Sequence, residues 1–372
     1  LAFEPETEVG AVAVGHSGVV NSRSALIWLL AVGMLVTCCR SGTGSRAPMT
    51  NPVPPRASTP AAEPATAPAP VVAPAGKVVP IGNAPEGIAI GTSGIGAVAV
   101  RNPDGVELID AASGAVRQTV PTAGAARHLS LAGPDGPVLV PLEASNELCE
   151  LTLADGRVES TAVGVGRQPH DAARTAGGTI VVTNELGGGV VFVRGGAVLT
   201  SLPAGPVQPG GVAAVGDYAA VADVQGNGVW VYDGSTRQQV AQGPVGAKLT
   251  HAVALSGDLA AFADTDGGAV FVERIDPQLT QVAKIDAPGK PYGLAYDARR
   301  RRLYVTLTAS NLMRVIDVSD ASKPRTLGDV PTVRQPNSVA VEPRSGTVLV
   351  TGSDPQSGSG LQIVTPDLLP PE

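Results

Sequence analysis

Aromatic residues make up only 3% of this 372-residue chain, and it has three cysteines, Cys38, Cys39 and Cys149. So few cysteines exclude a disulfide framework as what holds a folded domain together. Cys149 falls in the strand-like stretch Glu147-Leu148-Cys149-Glu150-Leu151, where a small buried apolar residue is expected. Positive charge is also scarce. Lys and Arg total 26 against 33 Asp and Glu, for a formal charge of −7, and no basic stripe offers a footing for nucleic acid. The one dense basic run, Arg299 to Arg302, lies between two strand-like segments and reads as a solvated turn. A Gly-x-Ser-x-Gly elbow, a phosphate loop, zinc-type cysteine pairs and a dinucleotide fingerprint are all missing, so no cofactor is expected.

What is present is glycine (46), proline (33) and 43% apolar residues. That mix suits many short Val/Ala/Leu strands punctuated by turns, and it does not suit a helical bundle. One unit recurs along the chain. Its opening strand reads Glu86-Gly-Ile-Ala-Ile, Arg127-His-Leu-Ser-Leu, His170-Asp-Ala-Ala-Arg, Gly210-Gly-Val-Ala-Ala, His251-Ala-Val-Ala-Leu, Tyr292-Gly-Leu-Ala-Tyr and Asn337-Ser-Val-Ala-Val. Successive starts are 41, 43, 40, 41, 41 and 45 residues apart. A period just above forty with four short strands per unit predicts an all-β fold, a seven-bladed β-propeller of four-stranded antiparallel blades over residues 77–366. The seventh unit ends at Gln362-Ile363-Val364 without a fourth strand, while Lys77 to Gly82 stands before the first unit as an orphan. The N-terminal strand is therefore expected to complete blade seven and close the ring.

The second and third strands carry a family likeness. Val181-Val182-Thr183-Asn184 and Tyr304-Val305-Thr306, with the endings Leu108-Ile109-Asp110 and Val315-Ile316-Asp317, resemble the YVTN-repeat family, which includes lactonase-like propellers. The Trp-Asp ending of WD repeats is absent. Trp230 and Phe271 take apolar third-strand positions and read as core.

The N-terminus reads as an export address. Arg23 precedes the apolar run Ala25 to Val36, which is shorter than the roughly 20 residues that span a bilayer. Leu35-Val36-Thr37-Cys38-Cys39 resembles a bacterial lipobox, with Cys38 or Cys39 as the lipidated residue. The chain divides accordingly: residues 1–19 as a mis-assigned upstream start, 20–39 as a lipoprotein-type signal, 40–76 as a Pro/Ala-rich disordered tether, 77–366 as the propeller and 367–372 as a tail. The protein is expected outside the cell membrane, held by lipid alone or secreted, as a monomer.

In a propeller the connection from strand four to the next strand one shares a face with the connection from strand two to strand three. One residue per blade then rings the channel mouth: Glu86, Arg127, His170, Gly210, His251, Tyr292 and Asn337. The second-to-third-strand loops add Asn102, Asn184, Asp223 and Asp264, and His128 stands one place from the ring. Loops on a rigid scaffold are where function tends to lie. The reading adopted is recognition of a small ligand, glycan or envelope protein at this mouth. The alternative is a lactonase-like hydrolase or lyase, with His170 or His251 as acid or base, Asp223, Asp264 or Glu86 tuning it and Arg127 holding an anion. A metal on His170, His251 and a carboxylate requires both histidines to reach across the channel, and none is assigned. Asp264-Thr265-Asp266-Gly267 resembles the start of a calcium loop, but Gly268 and Ala269 follow, and a tight turn explains it.

Overall fold

The computed structural model describes residues 63–354 and 358–371. The upstream start, the signal and both candidate lipidation residues, Cys38 and Cys39, lie outside the described residues. Seven four-stranded antiparallel sheets follow one another as blades of a propeller. The first strands are Ile88–Ile90, Ser130–Leu131, Pro169–Arg174, Pro209–Val215, Leu249–Ala254, Pro291–Asp297 and Pro336–Val341. Blade seven takes its outer strand from the other end of the chain: Lys77–Pro80 pairs with Gly358–Val364 in the register Lys77↔Ile363, Val79↔Leu361. This is the closure expected from the orphan strand.

The seven buried apolar clusters among the described residues each straddle a gap between adjacent blades. Val106 and Leu108 of blade one meet Val138, Val140 and Leu151 of blade two. Ile88, Val98 and Ile109 of blade one meet Leu349, Leu361 and Ile363 of blade seven. The core is thus a ring of inter-blade seams, and breaking the ring anywhere exposes two of its faces. The outer strands carry little of it; Val116–Pro121 exposes five of six side chains. Cys149 is buried in such a seam, as is Phe271, whereas Trp230 is only partly covered.

Second-strand threonines bolt blade three to blade four and blade seven to blade one. Thr183 Oγ1 donates to the Gly210 carbonyl of blade four (2.8 Å) and accepts from the Asp171 amide (3.1 Å). Thr306 Oγ1 accepts from the Gly293 amide, and Thr351 Oγ1 donates to the Glu86 carbonyl across the closure seam. These threonines satisfy first-strand backbone groups of their own blade (Thr183, Thr306) or of the next one (Thr183, Thr351).

Three regions differ from the sequence reading. Residues 63–76, expected to belong to a disordered tether, lie against the propeller: the Ala75 amide donates to Pro331 O, Asn311 Nδ2 to Pro68 O, and Ala67 is buried. Composition predicted a tether because Pro and Ala build no core of their own, but they can still be held by carbonyl and amide partners on blades six and seven. The tail also docks, with Leu369 buried in the seam between those blades. The Arg299–Arg302 turn is not merely solvated. Arg300 pairs with Asp297 and donates to Ser345 O, and Arg302 is buried at the start of its strand.

Candidate functional site at the channel mouth

The first strands deliver side chains to the mouth through a shared irregularity. In blades three to seven the register with the second strand shifts just after the first residue: between Pro169 and Ala172, Pro209 and Val212, Leu249 and His251, Pro291 and Leu294, and Pro336 and Ser338. A bulge re-aims a side chain out of the strict alternation of a strand. His170, Tyr292 and Asn337 lie within these shifts, and His251 closes one.

Four aromatic rings from four blades pack across the axis. His128 stacks on His170 (centroids 4.5 Å) and on His251 (4.2 Å), and His251 on Tyr292 (4.1 Å). Below this layer the first strands wall a channel cavity of about 360 Å³, whose lining includes His128, His251 and Asp171. Above it lies a charged network. Arg127 is 5% exposed; its Nε donates to Glu143 Oε1 (3.2 Å), and its two terminal nitrogens donate to the two oxygens of Glu63 (2.8 Å each). Arg101 bonds Glu143 Oε2 (3.0 Å) and lies 3.7 Å from Glu86. His170 Nδ1 faces Glu185 at 3.3 Å and Glu143 at 3.8 Å.

Protonation follows from these neighbours. Burial opposes charge on His170, but the Glu185 and Glu143 carboxylates outweigh it and raise the imidazole to about 9. Burial would raise Glu143, yet His170, Arg127 and Arg101 bring it down to about 2. Glu86 is raised by burial despite the two arginines. On the channel side the order reverses. Burial, together with the positive His170 and Arg127, pushes His251 well below the ordinary histidine range, and His128 likewise. Asp171, 3.7 Å from His128 Nδ1, is raised by burial to about 6 although it accepts from the Val212 and Ala172 amides. One imidazolium above thus sits beside two neutral imidazoles that retain a lone pair for proton acceptance.

Of the sequence candidates, the structure brings Glu86, Arg127, His128, His170, His251, Tyr292 and Asn337 to the mouth. Asn337 bridges blades seven and one, donating to Pro85 O and Glu86 Oε2. Asp223 and Asp264 do other work. Asp223 accepts the backbone amides of Val207, Gln208 and Gly226, and Asp264 those of Ala247, Lys248 and Gly267. Each clamps an incoming loop to the adjacent turn, and a Cβ at Gly226 or Gly267 would strike that carboxylate. Asn184 is buried beside the Gly166 turn, and Asn102 is an exposed turn residue with positive φ.

Sequence reasoning missed Glu63, Arg101, Glu143 and Glu185. The last three are equivalent: each backbone amide bonds the connection entering its own blade, at Asn83, Ala125 and Gln168. They follow their second strands at intervals of 42 residues. Reading Glu185 instead of Asn184, one place on, would have found them, because adjacent residues on an extended strand point opposite ways.

Glu143, His170 and Glu185 offer three donor atoms within 4.8 Å, the one such group among the described residues. Glu143 is already bonded by both arginines, and Glu185 accepts from Gln168 and Gln208. A divalent ion here would have to displace the His170 proton against two adjacent guanidinium charges, so the donors fit a metal poorly.

No protein-family model and no curated protein sequence matches the chain. Solved structures do. The WD40 repeats of RRP9 superpose with TM-score 0.66 at 13% identity, covering 80% of this chain and 99% of that one. A chain of the mitotic checkpoint complex gives 0.66 at 14%, covering 86% and 98%. Virginiamycin B lyase from Staphylococcus aureus gives 0.62 at 13%, covering 77% and 99%. The likeness establishes the β-propeller fold.

Proposed function

We propose that this protein is a recognition module of the bacterial cell envelope, a YVTN-type propeller whose channel mouth binds a small polar ligand. One observation carries the reading: a buried guanidinium, Arg127, is braced from within by Glu143 while its outer edge faces the mouth. A buried cation so held is already desolvated and oriented, and its outer edge, paired with the Glu63 carboxylate, offers a ligand a preformed contact to take over. The likeness to WD40 repeats and to a chain of a multiprotein complex supports a scaffold that binds rather than transforms.

A second reading has its own support. The neutral His128 and His251 line the channel cavity, and one structural neighbour is a lyase. General-base chemistry would then proceed from the channel side, with His251 or His128 accepting a proton.

A thermal-shift screen of the full chain against sugars, lactones and cell-wall fragments tests the first reading. A ligand at a hundred times its dissociation constant adds about 2.7 kcal/mol, a shift of about 4–5 °C for a domain of this size. The shift should vanish in Glu143→Gln. If no compound shifts the melt, or the shift survives that substitution, the mouth is not the site. Product formation lost in His251→Ala would favour the lyase reading instead.

The envelope location rests on the N-terminal sequence. Mass spectrometry of the mature protein should find a lipid-modified Cys38 or Cys39 as the first residue; an unmodified N-terminus elsewhere would remove the anchor.

A further inference from the structure

Glu63 is the one carboxylate at the mouth that is not carried by a blade, and its arrangement differs from that of the others. It is 63% exposed, yet both of its oxygens are engaged by the outer edge of Arg127. The segment that carries it is fixed without it. Ala67 O accepts from Arg334 Nε (3.1 Å), Pro68 O from Asn311 Nδ2 (2.9 Å), and the Ala75 amide donates to Pro331 O (3.0 Å). Glu63 therefore is not what docks residues 67–76; it reaches back from an anchored segment to fill a fork.

The fork itself is built for a planar anion. Arg127 is fully committed on its inner side to Glu143, and its two outer donors leave in parallel, the geometry that matches the two oxygens of one carboxylate. Lysine would offer a point charge with no such match. Charge agrees with shape. Arg101, Arg127 and the His170 imidazolium face Glu86, Glu143 and Glu185 from the blades, and burial disfavours charge on Glu86. Burial weakens the negative side of this balance at Glu86, and Glu63 adds its carboxylate at the outer edge of Arg127.

We propose that the mouth is a receptor for small carboxylates and that Glu63 is its built-in competitor: an incoming carboxylate takes the Arg127 fork and releases residues 63–66. This rests on the recognition reading above and names its ligand class. Tethered by three residues to the anchor at Ala67, Glu63 competes at an effective concentration on the order of millimolar. Weak anions are thereby excluded, and a ligand must bring further contacts to the mouth to displace it.

The test is calorimetry on the full chain with N-acetylalanine, a peptide-like acid, and glucuronate, a sugar acid, each against its uncharged amide. Glu63→Gln should bind at least one acid about tenfold more tightly than the unsubstituted chain, and neither amide. Which acid tightens identifies the source of the carboxylate. Arg127→Lys in the Glu63→Gln background should abolish the gain while circular dichroism shows the fold retained. Equal affinity in both chains, equal binding of acid and amide, or a gain that survives Arg127→Lys would each overturn the proposal. If neither acid binds Glu63→Gln while an uncharged compound shifts the melt in the screen, the carboxylate proposal fails and the recognition reading stands.

Discussion

Deleting residues 77–83 should lower the melting temperature by about 8 °C or prevent folding, because a loss of about 5 kcal/mol is a large part of a domain's stability. The strand Lys77–Pro80 completes blade seven, and its loss leaves Gly358–Val364 as an open edge. Val79 and Ile81 leave the seam formed by Ile88, Ile109, Leu361 and Ile363, at about 1–3 kcal/mol each. The Gly82 amide's bond to Glu107 and the Arg101 amide's bond to Asn83 O go with them. The seam between blades seven and one joins the two ends of the described chain, so nothing local in sequence replaces what is removed. Thermal melts followed by circular dichroism decide the matter. A deletion variant that melts at the parent temperature would show that the ring does not depend on this strand.

Raising the pH should destabilise the protein through His170, and Glu143, Glu185, Arg127 and His128 are the groups around it. The folded imidazole titrates near 9, above the 6.5 of an unfolded chain. A base whose affinity for its proton rises on folding contributes stability fully below the unfolded value and loses it as pH climbs through the folded one. The contribution totals about 3 kcal/mol, of which about 2 should be lost between about pH 7.5 and about pH 9.5. Of the other shifted acids, Cys149 adds its own alkaline loss in that window, because burial raises its thiol above the ordinary range, and two stay out of it. Asp171, raised to about 6, and Glu273, raised by burial to about 7, complete most of their titration below it. Denaturant melts across the window should slope downward in the parent and clearly less steeply in His170→Gln, which keeps only the Cys149 contribution. Parallel slopes would place the alkaline loss elsewhere. His170→Gln should also melt lower than the parent at pH 7, because it leaves two buried carboxylates beside a neutral amide.

Both expectations follow from different layers of the molecule. The propeller was legible because its signal is repetition: seven opening strands at near-constant spacing need no knowledge of what they touch. Closure was legible too, since three strands at one end and one at the other have a single economical solution. The histidines were found because they sit at the start of the repeat, where strand and connection can be told apart by eye. The second-strand ends were harder. Asn184 and Glu185 are adjacent and both polar, and alternation says only that they point opposite ways, not which one faces the axis. Asp223 and Asp264 looked like mouth residues for the same reason, but their carboxylates turn back to three amides each.

By itself the sequence determined the number of blades, the strand order and the way the ring is sealed, because those depend on hydrophobic alternation and turn residues that act over a few positions. Only the tertiary structure decided the chemistry of the mouth. Arg127, Glu143, His170 and Glu185 come from two blades, Glu63 from a segment whose composition suggested no order, and His251 from across the ring. Charge, burial and proton affinity are properties of such convergence: a carboxylate at about 2 and an imidazole at about 9 arise from neighbours a few ångströms away in space and, for Glu63 and Arg127, 64 positions apart in the chain.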